Sequence, residues 1–220
     1  MIDHTFLKPF GGPESIEQLC REAVEFGFAM VAINPAEVER CVRLLDGTNV
    51  GIGAAIGFPL GQSTTTVKKY ETQDAIDRGA TEIDTVINVR ALQSGDVDTV
   101  RREIADMVAA CRPSNVICKV ILETCFLTDE EKRTVCRIAK EEGVDFVKTS
   151  TGFGTGGATV EDVRLMFEEV APNVQVKASG GVRDLDAALD MIRAGATRIG
   201  TSSGVGIVNE FIQREKENAS

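Results

Sequence analysis

The chain of 220 residues has one histidine, His4, which argues against a zinc centre built on the usual imidazole ligands. Its six cysteines, at positions 20, 41, 111, 118, 125 and 136, include no Cys-x-x-Cys pair. Five of them fall in segments that read as helix or strand, so reduced and mostly buried thiols are expected. No run of about 18 uninterrupted apolar residues occurs, and MIDHTFLKPF at the start lacks the basic and apolar regions of an export signal. A cytoplasmic protein with no membrane partner is therefore expected. No Pro- or Ser-rich linker divides the chain, which predicts one domain over 1–220 with a polar C-terminal tail at 214–220. Positive charge is also in short supply: 24 Lys and Arg against 34 Asp and Glu leave a formal charge of -10. With the basic residues scattered, a nucleic-acid partner is not expected. A small anion remains admissible, because a local group of backbone N–H donors can hold it against the global field.

What is present is a regular alternation. Short apolar runs at 2–5, 29–33, 50–56, 82–87, 116–122, 146–148, 174–177 and 198–200 read as eight strands, separated by amphipathic stretches. Thr128 with Glu131 has capping-box spacing, Thr159 and Asp184 suit helix N-caps, and Gly27, Gly79, Gly143 and Gly195 stand where helices should stop. Repeated strand-then-helix order means parallel strands, and eight units in this length predict a single-domain (β/α)8 TIM barrel of the α/β class. An open doubly wound sheet is the alternative. Against it, the first strand–helix junction lacks a G-x-G-x-x-G fingerprint, and Gly51-Ile-Gly53 lies within a strand.

In a barrel the chemistry gathers at the C-terminal ends of the strands. There the segment DFVKTSTGFG, 145–154, ends an apolar strand on a lysine, a residue seldom buried without a partner or a task. Lys148 ends strand six and Lys177 ends strand seven, while Asp84 interrupts strand four. Two ammonium groups about 7 Å apart at an effective dielectric of about 20 repel by roughly 2.4 kcal/mol, nearly two pKa units. One lysine would then hold a neutral, nucleophilic fraction near physiological pH, as Schiff-base chemistry requires. Simple pairing of each lysine with Asp84 or Glu123 is the competing reading. Two loops complete the pattern: Ser179, Gly180 and Gly181 after strand seven, and Gly200 to Gly204 with Ser202 and Ser203 after strand eight. Glycine backbone, hydroxyls and a following helix suit a phosphate.

The stretches IDHTFLKP (2–9), AINP (32–35), IGFPLG (56–61), EIDTVINV (82–89), KVILETCFLTDEEK (119–132), DFVKTSTGF (145–153), VKASGGVR (176–183) and RIGTSSG (198–204) run in order along most of the chain. Together they resemble the deoxyribose-phosphate aldolase family of class I aldolases. The resemblance implies reversible cleavage of 2-deoxy-D-ribose 5-phosphate to D-glyceraldehyde 3-phosphate and acetaldehyde, in deoxyribose phosphate catabolism, without a cofactor. It implies Lys148 as the Schiff-base lysine, Lys177 as the lysine that perturbs it, and Asp84 as the proton-relay carboxylate. Gly180, Gly181, Gly200, Ser202 and Ser203 would bind phosphate, with Thr151 and Gly152 lining the site. Asp3 would face the sugar from the first strand, or act as a strand-end counter-ion, and Lys119 would be a deeper charge partner.

Ala32 stands where many relatives have Cys, Arg90 where NVG is usual, and the polar end lacks a tyrosine that some members carry. Relatives commonly have a helix before the first strand, so the bottom of this barrel is expected to be covered differently or by a partner subunit. A homo-oligomer, dimer or tetramer, is what the resemblance implies. The competing functions are a transaldolase-like Schiff-base transferase and a phosphate-binding isomerase barrel.

Overall fold

The computed structural model describes residues 1–218. Its strands are β1 (Ile2–Phe6), β2 (Met30–Ile33), β3 (Gly51–Ile56), β4 (Glu82–Val86), β5 (Ile117–Ile121), β6 (Phe146–Lys148), β7 (Gln175–Ser179) and β8 (Ala196–Thr201). They pair in parallel and in chain order, and β1 closes on β8 with Asp3 opposite Gly200. Outside them lie α1 (Pro13–Glu25), α2 (Val38–Leu44), α3 (Thr65–Asp77), α4 (Val89–Gln93), α5 (Val97–Cys111), α6 (Asp129–Glu142), α7 (Val160–Val170), α8 (Leu185–Arg193) and α9 (Gly204–Asn218). This is a (β/α)8 barrel, not an open sheet, because the first and last strands share a ladder.

A strand covered by helices outside and by its neighbours' side chains inside must be buried on both faces. Every residue of β2, β4 and β6 is buried. Outward positions pack an aliphatic layer against the helices, including Val31, Ile83, Val147 and Val176. Inward positions on β1, β4, β5, β6, β7 and β8 carry instead the charged residues described below.

The helix ends follow local chemistry. The Thr128 hydroxyl accepts from the Glu131 N–H while the Glu131 carboxylate accepts from the Thr128 N–H, and Thr159 and Asp184 cap α7 and α8. Gly27, Gly79, Gly143 and Gly195 all have positive φ, which lets the chain turn from helix towards strand without a side-chain clash.

Only β6 has both of its expected ends; the other strands shift by one or two residues, and two of the differences from expectation have a clear cause. β7 continues two residues past Lys177, because Ala178 and Ser179 still pair with Ile199 and Gly200 of β8; a serine beside glycines had read as loop. Of the segment 214–220 expected as a tail, 214–218 end α9, held where Arg214 bridges Asp186 and Glu210; 219–220 lie outside the described residues. All six cysteines are free, and only Cys125 is more than slightly exposed. No helix among the described residues is long and apolar enough to cross a membrane.

Replacing Thr128 by Ala removes one half of the α6 capping box. The expected loss is about 1 kcal/mol of unfolding free energy, read by urea denaturation.

Candidate active site

Side chains on one strand alternate between core and helix layer, so Glu82 and Asp84 share the inward face of β4. Lys119 lies opposite Asp84 on β5, and Lys148 lies opposite Lys177 across β6 and β7. Barrel closure brings these groups together. Lys119 Nζ donates to Asp84 Oδ1 at 2.8 Å, while Asp84 Oδ2 accepts from Lys148 Nζ at 2.9 Å and from Lys177 Nζ at 2.8 Å. Lys177 also pairs with Asp3 at 2.6 Å, and Lys119 with Glu82. Arg198 on β8 closes the base of the cluster on Asp3 at 2.6 Å and Glu82 at 3.4 Å, with its guanidinium over the Phe146 ring.

Four cations (Lys119, Lys148, Lys177 and Arg198) thus face three carboxylates (Asp3, Glu82 and Asp84). The fully ionised cluster carries one positive charge too many in a site that water barely reaches. Such a surplus is relieved most readily by loss of one proton. Burial, the largest influence, together with repulsion from Lys177 and Lys119, outweighs the attraction of Asp84 and lowers Lys148 to about 8. Lys119 moves the other way: burial would lower it, but Asp84, Glu82 and Asp3 raise it. Burial alone would raise the Asp84 carboxyl, yet the lysines hold it well below the usual carboxylate range.

The two lysines and Asp84 expected from sequence therefore meet at one point. The pairing reading and the perturbed-amine reading both describe Lys148: it does bond Asp84, and its proton is still loosened. Repulsion is not the leading cause, however, because burial outweighs it. Of the two readings of Asp3, its surroundings match the strand-end counter-ion. It is fully buried, both its oxygens are engaged by Lys177 and Arg198, and it is a counter-ion.

The loop residues frame the mouth of the barrel beside Lys148. Gly180 and Gly181 follow β7 with consecutive positive φ values of 86° and 81°. A Cβ on Gly152 would lie 3.9 Å from the Gly180 Cα, which places the loop after β6 against the loop after β7. Ser202 and Ser203 immediately precede the 15-residue helix α9. Gly200 lies within β8, where a Cβ would sit 3.0 Å from Lys177 Cε and 2.9 Å from Ser179 Cβ. Its small size makes room for the lysine. A cavity of about 460 Å³ is lined among others by Val86, Arg90, Glu123, Phe126, Thr151 and Phe153. Of the expected site residues only Thr151 lines it.

Glu82, Arg198 and Glu123 were not among the expected site residues. Arg198 and Glu82 do carry a signal in the sequence, a charge inside a short strand; for Glu123 the sequence suggests only a salt-bridge partner. No group of three or more His, Cys, Asp or Glu among the described residues is placed to hold a metal ion.

The model of the DeoC/LacD family aldolases matches residues 1–209. The chain belongs to the DeoC/LacD aldolase family. A deoxyribose-phosphate aldolase of Bacteroides thetaiotaomicron is 69% identical over 216 residues, covering 98% of this chain and 91% of the relative. One from Brevibacillus brevis is 57% identical over 207 residues, covering 94% and 93%. A tetrameric deoxyribose phosphate aldolase structure from Aeropyrum pernix superposes with a TM-score of 0.89 at 34% identity, covering 96% of this chain and 88% of that one.

For a DeoC/LacD aldolase built this way, removing the shared anion should be felt in stability. Asp84→Asn leaves three ammonium groups without their common partner, and the expected cost is about 3–5 kcal/mol at neutral pH. Lysines crowded in the folded state then bind protons less readily than in the unfolded chain, so stability should partly recover as pH rises. Denaturation midpoints across a pH series read both effects.

Proposed function

We propose that the chain is a class I deoxyribose-phosphate aldolase in which Lys148 forms the Schiff base with 2-deoxy-D-ribose 5-phosphate. The observation that carries the assignment is the enclosure of Lys148 with Lys177 and Lys119 around the one carboxylate of Asp84, surroundings that lower its amine to about 8. A neutral amine attacks the C1 aldehyde of the open-chain sugar, and the carbinolamine takes up one proton from solvent as it expels water, giving a protonated imine. Asp84, at 2.9 Å from the lysine nitrogen, stabilises that cation.

The products have two and three carbons, so the bond that breaks is C2–C3. Its electrons pass into the iminium to form an enamine while the C3 hydroxyl loses its proton and becomes the aldehyde of D-glyceraldehyde 3-phosphate. Protonation at C2 and hydrolysis of the imine then release acetaldehyde and restore the amine. Asp84 alone is a weak base, being held as the anion. Lys177 donates to the same oxygen, and the pair relays the proton between the C3 hydroxyl and C2 through water.

The phosphate sits on the backbone of Gly180 and Gly181 and on the Ser202 and Ser203 end of α9, where N–H groups and the helix dipole favour an anion. Thr151 and Gly152 form the wall beside the imine. Holding the phosphate fixes the distance from C5 to the reacting carbons, which converts remote binding into orientation at C1. A cytoplasmic location and a homo-oligomeric state belong to the same reading, the second supported by the tetrameric Aeropyrum pernix relative.

Borohydride added with acetaldehyde is expected to label one lysine irreversibly, found at Lys148 by peptide mass mapping. The trapping rate should climb with pH and level off above about 8, since the ammonium form cannot attack. A label at Lys177 or Lys119, or none in an active enzyme, would overturn the assignment.

A further inference from the structure

Glu123 follows β5 with φ 56° and ψ 63°, the left-handed region that glutamate rarely occupies. The backbone on either side is pinned to the strand that carries Lys148. Leu122 N–H donates to the Lys148 carbonyl at 2.9 Å, and Thr124 N–H donates to the Thr149 carbonyl at 3.0 Å. The unusual conformation turns a buried carboxylate towards the loop after β6, where it accepts from the Thr151 N–H at 3.2 Å and from the Thr151 hydroxyl. That hydroxyl in turn accepts from the Phe153 N–H at 3.0 Å. The loop closes tightly around the carboxylate: a Cβ on Gly154 would lie 3.2 Å from the Glu123 carboxyl carbon. On its far side the same loop is tied to the phosphate loop, Ala158 N–H donating to the Gly180 carbonyl at 2.9 Å.

Strained backbone and a buried carboxylate with a dedicated hydrogen-bond set are kept together where a geometry has to be fixed in advance. The packing of the strand needs neither, since glycine adopts this φ freely. We propose that Glu123 is a positioning residue for the aldol reaction, clamping Thr151 so that the wall of the pocket beside Lys148 is in place before substrate binds. The inference rests on Lys148 being the Schiff-base lysine. The hydrogen bonds carry the clamp rather than the charge. Burial raises the Glu123 carboxyl above its ordinary value, against the hydrogen bonds from Thr151 and the pull of Lys148; an amide oxygen can accept the same Thr151 hydrogen bonds, which makes Gln the conservative substitute.

Three variants test this in the full-length enzyme, each checked for folding by circular dichroism. Glu123→Gly relieves the left-handed strain and removes the clamp. Its kcat for 2-deoxyribose 5-phosphate cleavage is expected to fall about ten- to hundredfold, with KM changing by less than about threefold because the phosphate loops are untouched. Glu123→Gln keeps an oxygen for Thr151 and should recover at least about a third of the wild-type kcat. Thr151→Val removes the other half of the clamp, and its loss should not multiply with that of Glu123→Gly in the double variant. A kcat within about twofold of wild type in Glu123→Gly, a Gln variant as slow as the Gly variant, or multiplying losses would each overturn the proposal. Borohydride trapping in the wild type separates the two failures: a label absent from Lys148 refutes the aldolase mechanism, whereas a labelled Lys148 with unchanged variant kinetics refutes the clamp alone.

Discussion

One carboxylate shared by three lysines organises this molecule. Asp84 is completely enclosed and accepts from Lys119, Lys148 and Lys177 within 2.8–2.9 Å. Removing so many charges from water costs several kcal/mol per ion, and mutual attraction repays it only when the geometry is good. The other carboxylates bonded into the cluster, Asp3 and Glu82, pair with Lys177, Lys119 and Arg198 but not with Lys148. Lys148 therefore has the weakest claim on its proton. In this account reactivity is a consequence of where the charge balance of the barrel falls one anion short.

Barrel closure is what makes the balance possible. Asp3 and Arg198 are 195 positions apart in sequence and meet because β1 and β8 share a ladder. Asp84 and Lys177 are 93 apart and meet across the interior. Alternation along each strand sends Ile83, Val147 and Val176 outward to the helices and leaves the inward positions for charge. Gly200 completes the fit, because any side chain there would press on the stem of Lys177. Outside this inner shell the helices and their caps are conventional, and the acidic residues in excess lie mainly on the solvent face, for example Glu130, Asp186 and Glu39 in exposed ion pairs.

Much of this was legible in the sequence, for local reasons. Strand–helix alternation, the Thr128 box and the four helix-ending glycines depend on neighbours a few residues away. Lys148, Lys177 and Asp84 could be read because each is a charge inside an apolar run. What was not legible depends on the far side of the barrel. Asp3 could be seen as an acid at a strand, but its seat between Lys177 and Arg198 requires closure of the sheet. The weight of burial over repulsion at Lys148 likewise follows from enclosure that no single segment reveals. Glu123 was hidden for a different reason: its left-handed backbone follows from tethering to the next strand, and nothing in LETC announces it. The polar end of α9 read as tail because its anchors, Asp186 and Glu210, lie outside the segment itself.

The central claim is that the proton of Lys148 is loosened by enclosure within a cluster one anion short. NMR titration of lysine ε-carbon resonances, in protein labelled at that carbon, tests it without substrate or turnover. The account predicts one resonance titrating near pH 8, absent from Lys148→Met and displaced to higher pH in Lys177→Met, where one competing cation is gone and Asp84 has a partner fewer. A Lys148 resonance that titrates like an ordinary lysine, or one that stays in place when Lys177 is removed, would contradict it.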